Sequence, residues 1–267
     1  MSTGNPLLHK SHSHTTTYNY HRMWLRKQIV LGLNVSYNKD INPIATLYRY
    51  NSTTGAYESK PMNVKGGNMW KFGVNYDQGI GVYFRLMNKF NVLTSKSYGF
   101  LTIVDNNDPN AVPDLNLQKR LGIDENMELS YEAEKVQLTL FNDLQWNRYR
   151  YDDDTYNSGP LYNSLGISVT LKLSPFEMYI RLSDDFRKGY ATSEMNGHKL
   201  MSMASISYGF CKNKCRLSLF VDDIFNNDIW YDNNYSAFQR TETTTNYMHH
   251  YANLKFSYKF DAKAKKK

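Results

Sequence analysis

Hydrophobic and polar residues alternate at period two along most of the chain, most fully from Tyr251 to Phe260. One parity of that stretch is apolar and becomes more aromatic toward its end, while the other carries Asn, Lys and Ser. Successive side chains of a β-strand point to opposite faces, so the pattern predicts a strand with one apolar and one polar side. The segment that follows, 261–267, is basic and has no apolar side.

The same alternation recurs throughout the chain, with almost no segment of helical period between the repeats. It predicts about eleven strands, over residues 14–24, 27–40, 61–77, 80–97, 117–132, 135–151, 161–173, 175–187, 197–210, 214–225 and 245–260. Such a series is typical of an all-β antiparallel meander. The polar parity holds Lys, Arg, Gln, Asn and Asp, which a small dry core could not accept without partners.

The predicted connections alternate in length. The short ones are 24–27, 77–80, 132–135, 174–175 and 212–214, and the long ones are 41–60, 94–114, 152–160, 188–198 and 226–244. Short turns at one end and long polar loops at the other are typical of transmembrane β-barrels, which face lipid with alternate residues and a wet lumen with the rest. We therefore predict a barrel wall in 14–260, a loop segment in 1–13 and a basic periplasmic tail in 261–267.

An odd number of strands is unexpected, because bacterial single-chain barrels have even numbers. We therefore expect this chain to be the C-terminal part of a larger barrel, missing at least one upstream strand. On its own it would form an open half-cylinder. The N-terminal residues contain no apolar signal segment, and no run of about 18 apolar residues predicts a transmembrane helix.

Composition adds two points. The 22 tyrosines suit strands and water–lipid boundaries, because the side chain has an apolar ring and a polar tip. The net charge of +7 comes from Lys and Arg residues scattered along strands and tails. Because they do not gather in one stripe, we expect no nucleic-acid partner.

Several short motifs carry a family resemblance. They are Gly4-Asn5-Pro6-Leu7-Leu8 before a Tyr-containing strand, the loop Arg187-Lys188-Gly189-Tyr190, the segment Leu219–Asn227 (LFVDDIFNN), a long loop containing Trp230 and a closing strand that ends in SYKF. Together they resemble the barrel of TonB-dependent receptors, over essentially the whole chain.

The resemblance implies a 22-strand barrel with an N-terminal plug, located in the outer membrane of a Gram-negative bacterium. Such a receptor imports a scarce nutrient, of the siderophore, cobalamin or glycan class, using energy passed on by TonB. The implied partners are outer-membrane lipid, the barrel-assembly machinery, and an upstream plug and barrel half, which this sequence lacks together with a TonB box. Phe256, Tyr258 and Phe260 look like the C-terminal assembly signal.

Polar residues near the predicted long-loop ends are candidate ligand contacts. These candidates are Asp184, Arg187, Asp222, Trp230 and Tyr231. The Tyr-rich loops 50–60 and 230–238 could stack on a sugar or aromatic ligand, or could pack within the loops and the aromatic girdle. The sequence has no Gly-rich phosphate loop, nucleophile elbow or zinc motif, so we expect neither enzymatic activity nor a cofactor.

Three further groups could carry chemistry. His9, His12 and His14 could bind a metal or form a polar segment before the first strand. Asp152, Asp153 and Asp154 could hold Ca²⁺ or form a solvated loop tip. Cys211 and Cys215 could flank a plain turn or form a cross-strand disulfide.

Two other proteins could have this pattern. One is a self-contained small outer-membrane barrel that acts as a pore, an adhesin or a structural protein. The other is a soluble carbohydrate-binding β-sandwich, which would place the apolar sides of its strands in a dry core.

Overall fold

The structure is a computed structural model that describes residues 4–51, 53–100, 104–105, 114–152, 154–212, 214–226, 230–235, 240–245 and 250–260. Within these residues the chain is almost entirely β. The strands are β1 His12–Trp24, β2 Ile29–Ile41, β3 Ile44–Asn51, β4 Ala56–Asn63, β5 Asn68–Ile80, β6 Phe84–Phe100, β7 Val104–Asp105, β8 Leu115–Glu132, β9 Val136–Arg150, β10 Leu161–Leu173, β11 Phe176–Lys188, β12 Gly197–Phe210, β13 Cys215–Asp222, β14 Trp230–Tyr235, β15 Arg240–Thr245 and β16 Tyr251–Tyr258. Helical structure in the described residues is limited to three short 3₁₀ turns, none of which could reach across a bilayer.

Eleven strands form one large antiparallel sheet. Their order is β1-β2-β5-β6-β8-β9-β10-β11-β12-β13-β16, so each strand pairs with the next member of the series along the chain. The predicted all-β antiparallel meander and its eleven strands are therefore confirmed. Residues 161–173 and 197–210 are strands with the predicted bounds.

The long connections contain structure that the sequence prediction missed. Residues 41–60 were predicted to be a loop leading into a strand from residue 61, but β3 and β4 form a hairpin here, with Gly55 at a φ of +68° in its turn. β7 adds to this hairpin as a third strand, and β14 pairs with β15 in the last long connection. The predicted turn at 77–80 was also wrong, because these residues belong to β5 and the turn is 81–83.

A small apolar core holds the β3–β4 hairpin against the large sheet. Leu47, Val64 and Phe100 are buried together, and Tyr98 and Leu115 pack against them. These last residues lie at the neighbouring ends of β6 and β8. The hairpin is therefore anchored to the wall at the end that carries the long connections.

The two faces of the large sheet differ in chemistry and in burial. The apolar face carries residues such as Leu165, Leu254 and Phe256, which are 59%, 68% and 60% exposed. The polar face carries most of the sheet's buried side chains, namely Asn116, Gln118, Ser130, Phe141, Tyr149, Ser164, Ser183 and Asp185. Side chains crowd on the concave side of a curved sheet and diverge on the convex side, so we infer that the polar face is concave.

This arrangement excludes the β-sandwich among the described residues. A sandwich buries the apolar faces of two sheets against each other. Here one large sheet leaves its apolar face exposed, and such a surface marks an interaction site or a membrane contact.

A close contact on the polar face fixes the packing of three neighbouring strands. Gly166 of β10 pairs with Phe141 of β9 and with Ser183 of β11. A methyl group at Gly166 would lie 2.3 Å from Cζ of Phe141 and 2.5 Å from the backbone oxygen of Leu182. Only a residue without a side chain therefore fits beneath the Phe141 ring.

We predict that Gly166→Ala lowers the free energy of unfolding by roughly 1–3 kcal/mol, because the added methyl group forces the ring or the backbone to move. Urea unfolding in lipid vesicles, followed by tryptophan fluorescence, measures this difference. Ser168→Ala, on the same strand and face, is the control and should change stability by less than about 0.5 kcal/mol. Equal stability of Gly166→Ala and the unmodified protein would contradict the packing.

Candidate functional site

The polar face holds a ladder of charged and hydroxyl side chains across β10 and β11. Asp185 is only 7% exposed and accepts hydrogen bonds from the hydroxyl groups of Ser164 at 2.7 Å and Tyr162 at 3.1 Å. The guanidinium of Arg187 lies 3.8 Å from the Asp185 carboxylate and 5.1 Å from the centre of the Tyr162 ring. This cation offsets part of the cost of burying the carboxylate.

Arg181 lies on the same face of β11, two polar-face positions beyond Asp185 and further from the long connections. Its guanidinium lies 3.9 Å from the centre of the Phe141 ring, which itself covers Gly166. Stacking on an aromatic face leaves the guanidinium N–H groups pointing sideways, where they can donate to a ligand.

A cavity of about 280 Å³ opens between β10, β11, β12 and the end of β13. It is lined by Tyr162, Ser164, Arg181, Ser183, Asp185, Met201, Ser202, Met203, Asp222 and Asp223. Carboxylates, hydroxyl groups and one guanidinium thus surround a space large enough for a small polar group. The chemistry suits a ligand that both donates and accepts hydrogen bonds.

Tyrosines form a second cluster beside this cavity, closer to the long connections. Tyr149 of β9, Tyr151 immediately after that strand and Tyr235 of β14 are buried together. The rings of Tyr149 and Tyr235 stack with their centres 4.6 Å apart, and Arg120 lies 5.5 Å from the centre of the Tyr149 ring. The β14–β15 hairpin therefore folds inward over the polar face.

Glu242 of β15 fastens this hairpin to the connection between β11 and β12. Its two carboxylate oxygens accept hydrogen bonds from the backbone N–H groups of Ala191 at 3.1 Å and Thr192 at 2.9 Å. The hydroxyl group of Tyr235 donates to the same carboxylate at 2.7 Å. Burial raises the pKa of the neighbouring Tyr190, Glu242 raises it further, and Arg187 opposes the change.

The structure separates the predicted ligand contacts. Arg187 and Asp222 lie on the polar face, and Asp222 lines the cavity. Asp184 lies on the apolar face, opposite Leu165 and Leu200, with its carboxylate 2.8 Å from Nδ1 of His198. Its sequence neighbour Asp185 takes the position on the polar face.

The remaining predicted residues lie at the two ends of the wall. Trp230 and Tyr231 pair with Thr245 and Thr244 in the β14–β15 hairpin, and their side chains are outside the described part. Phe256, Tyr258 and Phe260 are exposed at the end of the last strand, and their role in assembly stays a prediction.

Sequence reasoning missed Tyr162, Ser164, Tyr149 and Glu242, and it named Tyr235 only as part of the Tyr-rich loop 230–238. The sequence could have indicated Tyr162 and Ser164, because they continue the alternating polar positions of β10 (Gly166, Ser168, Thr170 and Lys172) by two more positions toward the start of the strand. The contacts of Tyr235 with Tyr149 and of Glu242 with Ala191 and Thr192 link residues that are far apart in the sequence, so no local pattern predicts them.

The described residues contain no group of three or more His, Cys, Asp or Glu side chains that could hold a metal ion. His12 and His14 lie along β1, and His9 precedes that strand and donates its backbone N–H to Asn63, as in the interpretation of a polar segment before the first strand. Asp153, the middle residue of the acidic segment that could hold Ca²⁺ or form a solvated loop tip, lies outside the described residues. Cys211 and Cys215 are free thiols flanking the β12–β13 turn, as in the plain-turn interpretation.

Comparison with known families shows which family the large sheet belongs to. The family model described as outer membrane protein beta-barrel family matches residues 1–258. The chain belongs to the outer membrane protein β-barrel family. No curated protein and no solved structure matches this chain.

Membership of this β-barrel family indicates which face of the sheet contacts lipid and which faces the lumen. In such barrels the outward apolar side chains contact hydrocarbon and the inward polar ones line the lumen. The cavity beside Asp185 and the tyrosine cluster therefore lie on the lumen side, and the long connections mark the outer end.

We predict that Ile167→Arg lowers the free energy of unfolding in a bilayer by roughly 2–4 kcal/mol, because Ile167 lies on the apolar face of β10. Thr170→Arg, on the polar face of the same strand, is the matched control and should fold like the unmodified protein. Urea titration of both variants in vesicles measures the difference. A larger loss for Thr170→Arg would reverse the assignment of the two faces.

We also predict that Glu242→Gln speeds hydrogen exchange of the amides of Ala191 and Thr192 by roughly 10- to 100-fold, because hydrogen bonds to a charged carboxylate are replaced by weaker ones. Hydrogen-exchange mass spectrometry of a peptide covering 189–196 measures the change. Glu134→Gln, in the turn at the opposite end, should leave this peptide unaffected. Unchanged exchange in Glu242→Gln would show that the carboxylate does not hold the connection.

Proposed function

We propose that this chain forms the C-terminal part of the wall of a TonB-dependent receptor that takes up a nutrient across the outer membrane of a Gram-negative bacterium. The nutrient belongs to the siderophore, cobalamin or glycan class. The observation that carries the proposal is the cavity beside Asp185, because its hydrogen-bonding side chains lie on the polar face, which lines the lumen in barrels of this family.

The side chains of the cavity favour a solute rich in hydroxyl or amide groups. Asp185 and Asp222 accept hydrogen bonds, the Ser164 and Ser183 hydroxyl groups donate and accept, and Arg181 donates. Asp185 is held in place by Tyr162, Ser164 and Arg187, so its carboxylate is a fixed acceptor at the edge of the cavity. Such a preorganised acceptor suits a binding role.

The edges of the sheet support a larger barrel over a self-contained small one. In the described residues β1 pairs only with β2 and β16 only with β13. Unpaired backbone groups in hydrocarbon cost several kcal/mol each, so both edges need strands beside them. We propose that an upstream barrel half supplies those strands, that a plug fills the lumen, and that the barrel-assembly machinery reads Phe256, Tyr258 and Phe260.

Adjacent aspartates on opposite faces provide the test. We predict that Asp185→Asn lowers nutrient uptake by about tenfold, because it weakens the charged hydrogen bonds that shape the cavity. Asp184→Asn, one residue away on the apolar face, should transport normally. Uptake of radiolabelled ferric siderophore, cobalamin and maltooligosaccharide, with and without TonB, measures both variants at equal outer-membrane levels in cells that produce the intact receptor, including the proposed upstream barrel half and plug.

Three outcomes would contradict the proposal. They are uptake that does not depend on TonB, loss of uptake in Asp184→Asn but not in Asp185→Asn, and no uptake of any of the three nutrient classes above the level of cells without the gene. Diffusion through the unmodified barrel in the absence of TonB would instead favour a small self-contained pore.

A further inference from the structure

A row of basic residues crosses the apolar face near the long connections. The strand register places the following residues directly opposite one another from β1 to β9: His14, Lys39, Asn68, Lys96, Lys119 and Arg150. We call Lys39, Lys96, Lys119 and Arg150 the basic row. All four side chains are exposed.

The basic row is electrostatically unbalanced. Lys96, Lys119 and Arg150 are consecutive cross-strand neighbours, and like charges in directly opposed positions destabilise a sheet. None of the four cations forms an ion pair or a hydrogen bond within the described part of the chain. The nearby Asp152 carboxylate accepts the backbone N–H of Leu117 at 3.0 Å instead. An anion from outside the chain would relieve the repulsion.

A recess at one end of the row could receive such an anion. Its volume is about 480 Å³, and its charged lining consists of Lys119, Arg148 and Arg150 together with Asp152 and Asp154. Arg148 lies on the same face two residues before Arg150, further from the long connections, and it pairs with Leu121. Three cations and two carboxylates therefore share one polar pocket beside the apolar part of this face, and the cations are in excess by one.

Apolar side chains lie directly beside the row on the same face, on the side further from the long connections. The next pairing level contains Tyr37, Trp70 and Leu121, and the rings of Tyr37 and Trp70 are 4.4 Å apart. Aromatic residues at this depth are typical of the membrane–water boundary. A molecule bound to the row thus has cations against its head and an apolar wall against its tail.

We propose that the basic row binds the anionic phosphate headgroups of membrane lipids in the leaflet at the long-loop end of the wall. The position of the row on the lipid-facing side favours a lipid over a soluble anion, which would meet its receptor on the lumen side. The proposal depends on the membrane placement alone and is independent of nutrient uptake.

The test compares two variants that lose the same charge from opposite faces. The triple variant Lys96→Gln, Lys119→Gln, Arg150→Gln removes the row, and Lys71→Gln, Lys89→Gln, Lys172→Gln removes three cations from the polar face. Each protein in nonionic detergent is titrated with dioleoyl phosphatidylglycerol or dioleoyl phosphatidylcholine, and bound lipid is counted by native mass spectrometry. Heat-modifiable migration shows that both variants are folded.

We expect the unmodified protein and the polar-face variant to retain phosphatidylglycerol in preference to phosphatidylcholine. Loss of the row should weaken phosphatidylglycerol binding by on the order of 100-fold at low salt, since each Lys or Arg near an anionic surface contributes separately. Added salt should reduce this difference through screening.

Three results would overturn the proposal. Equal retention of phosphatidylglycerol by the row variant and the unmodified protein would show that the row is merely solvated. An equal loss in both triple variants would show a general effect of net charge. Displacement of the lipid by millimolar inorganic phosphate would identify a site for soluble anions.

Discussion

Backbone hydrogen bonding between neighbouring strands is the interaction on which the rest of this molecule depends. Hydrocarbon offers no partners for N–H and C=O groups, so each strand of the wall must pair on both sides. Pairing fixes the register, and the register decides which side chains stand next to each other on each face. The lumen cavity, the tyrosine cluster and the basic row are all products of that alignment, because each combines residues from several strands.

The wall could be predicted from the sequence because its signal is local. Period-two alternation needs only neighbouring residues, and it identified all eleven strands of the large sheet, with the largest error at the start of β5, which was predicted at residue 61 and lies at Asn68. The alternation also gave Ile167 and Lys172 their opposite faces. It failed for β3 and β4, because residues 41–60 were predicted to be a loop and the end of β4 was assigned to the following strand. The local sequence of a hairpin within a long connection does not distinguish it from strands of the wall.

The candidate site was only partly accessible from the sequence. The pair Asp184-Asp185 was visible as two acids near a strand end, and parity alone could have separated them. The bonds from Glu242 to Ala191 and Thr192 could not be foreseen, since about fifty residues lie between them and the contact requires two connections to fold toward each other. Local patterns therefore predicted the wall better than the structures that close over it.

The apolar face also contains polar exceptions, and they follow the same physical rule. Asn88 of β6 and Glu125 of β8 both lie on this face, and the Asn88 amide donates to the Glu125 carboxylate at 2.7 Å. Asp184 and His198 form a similar pair three strands further on. A polar group near hydrocarbon is tolerated when its partner is adjacent, so these pairs satisfy one another. The basic row differs because its members oppose one another without such partners.

Strand direction limits how the two edges of the sheet can be satisfied. β1 and β16 are the first and last of eleven antiparallel strands, so both run from the long-loop end toward the short-turn end. A second copy related by an axis along the membrane normal would keep these directions and place β16 parallel to the partner's β1. An axis in the membrane plane would send the long connections to opposite sides. Antiparallel closure therefore requires an odd number of additional strands, whose first and last members both run the other way.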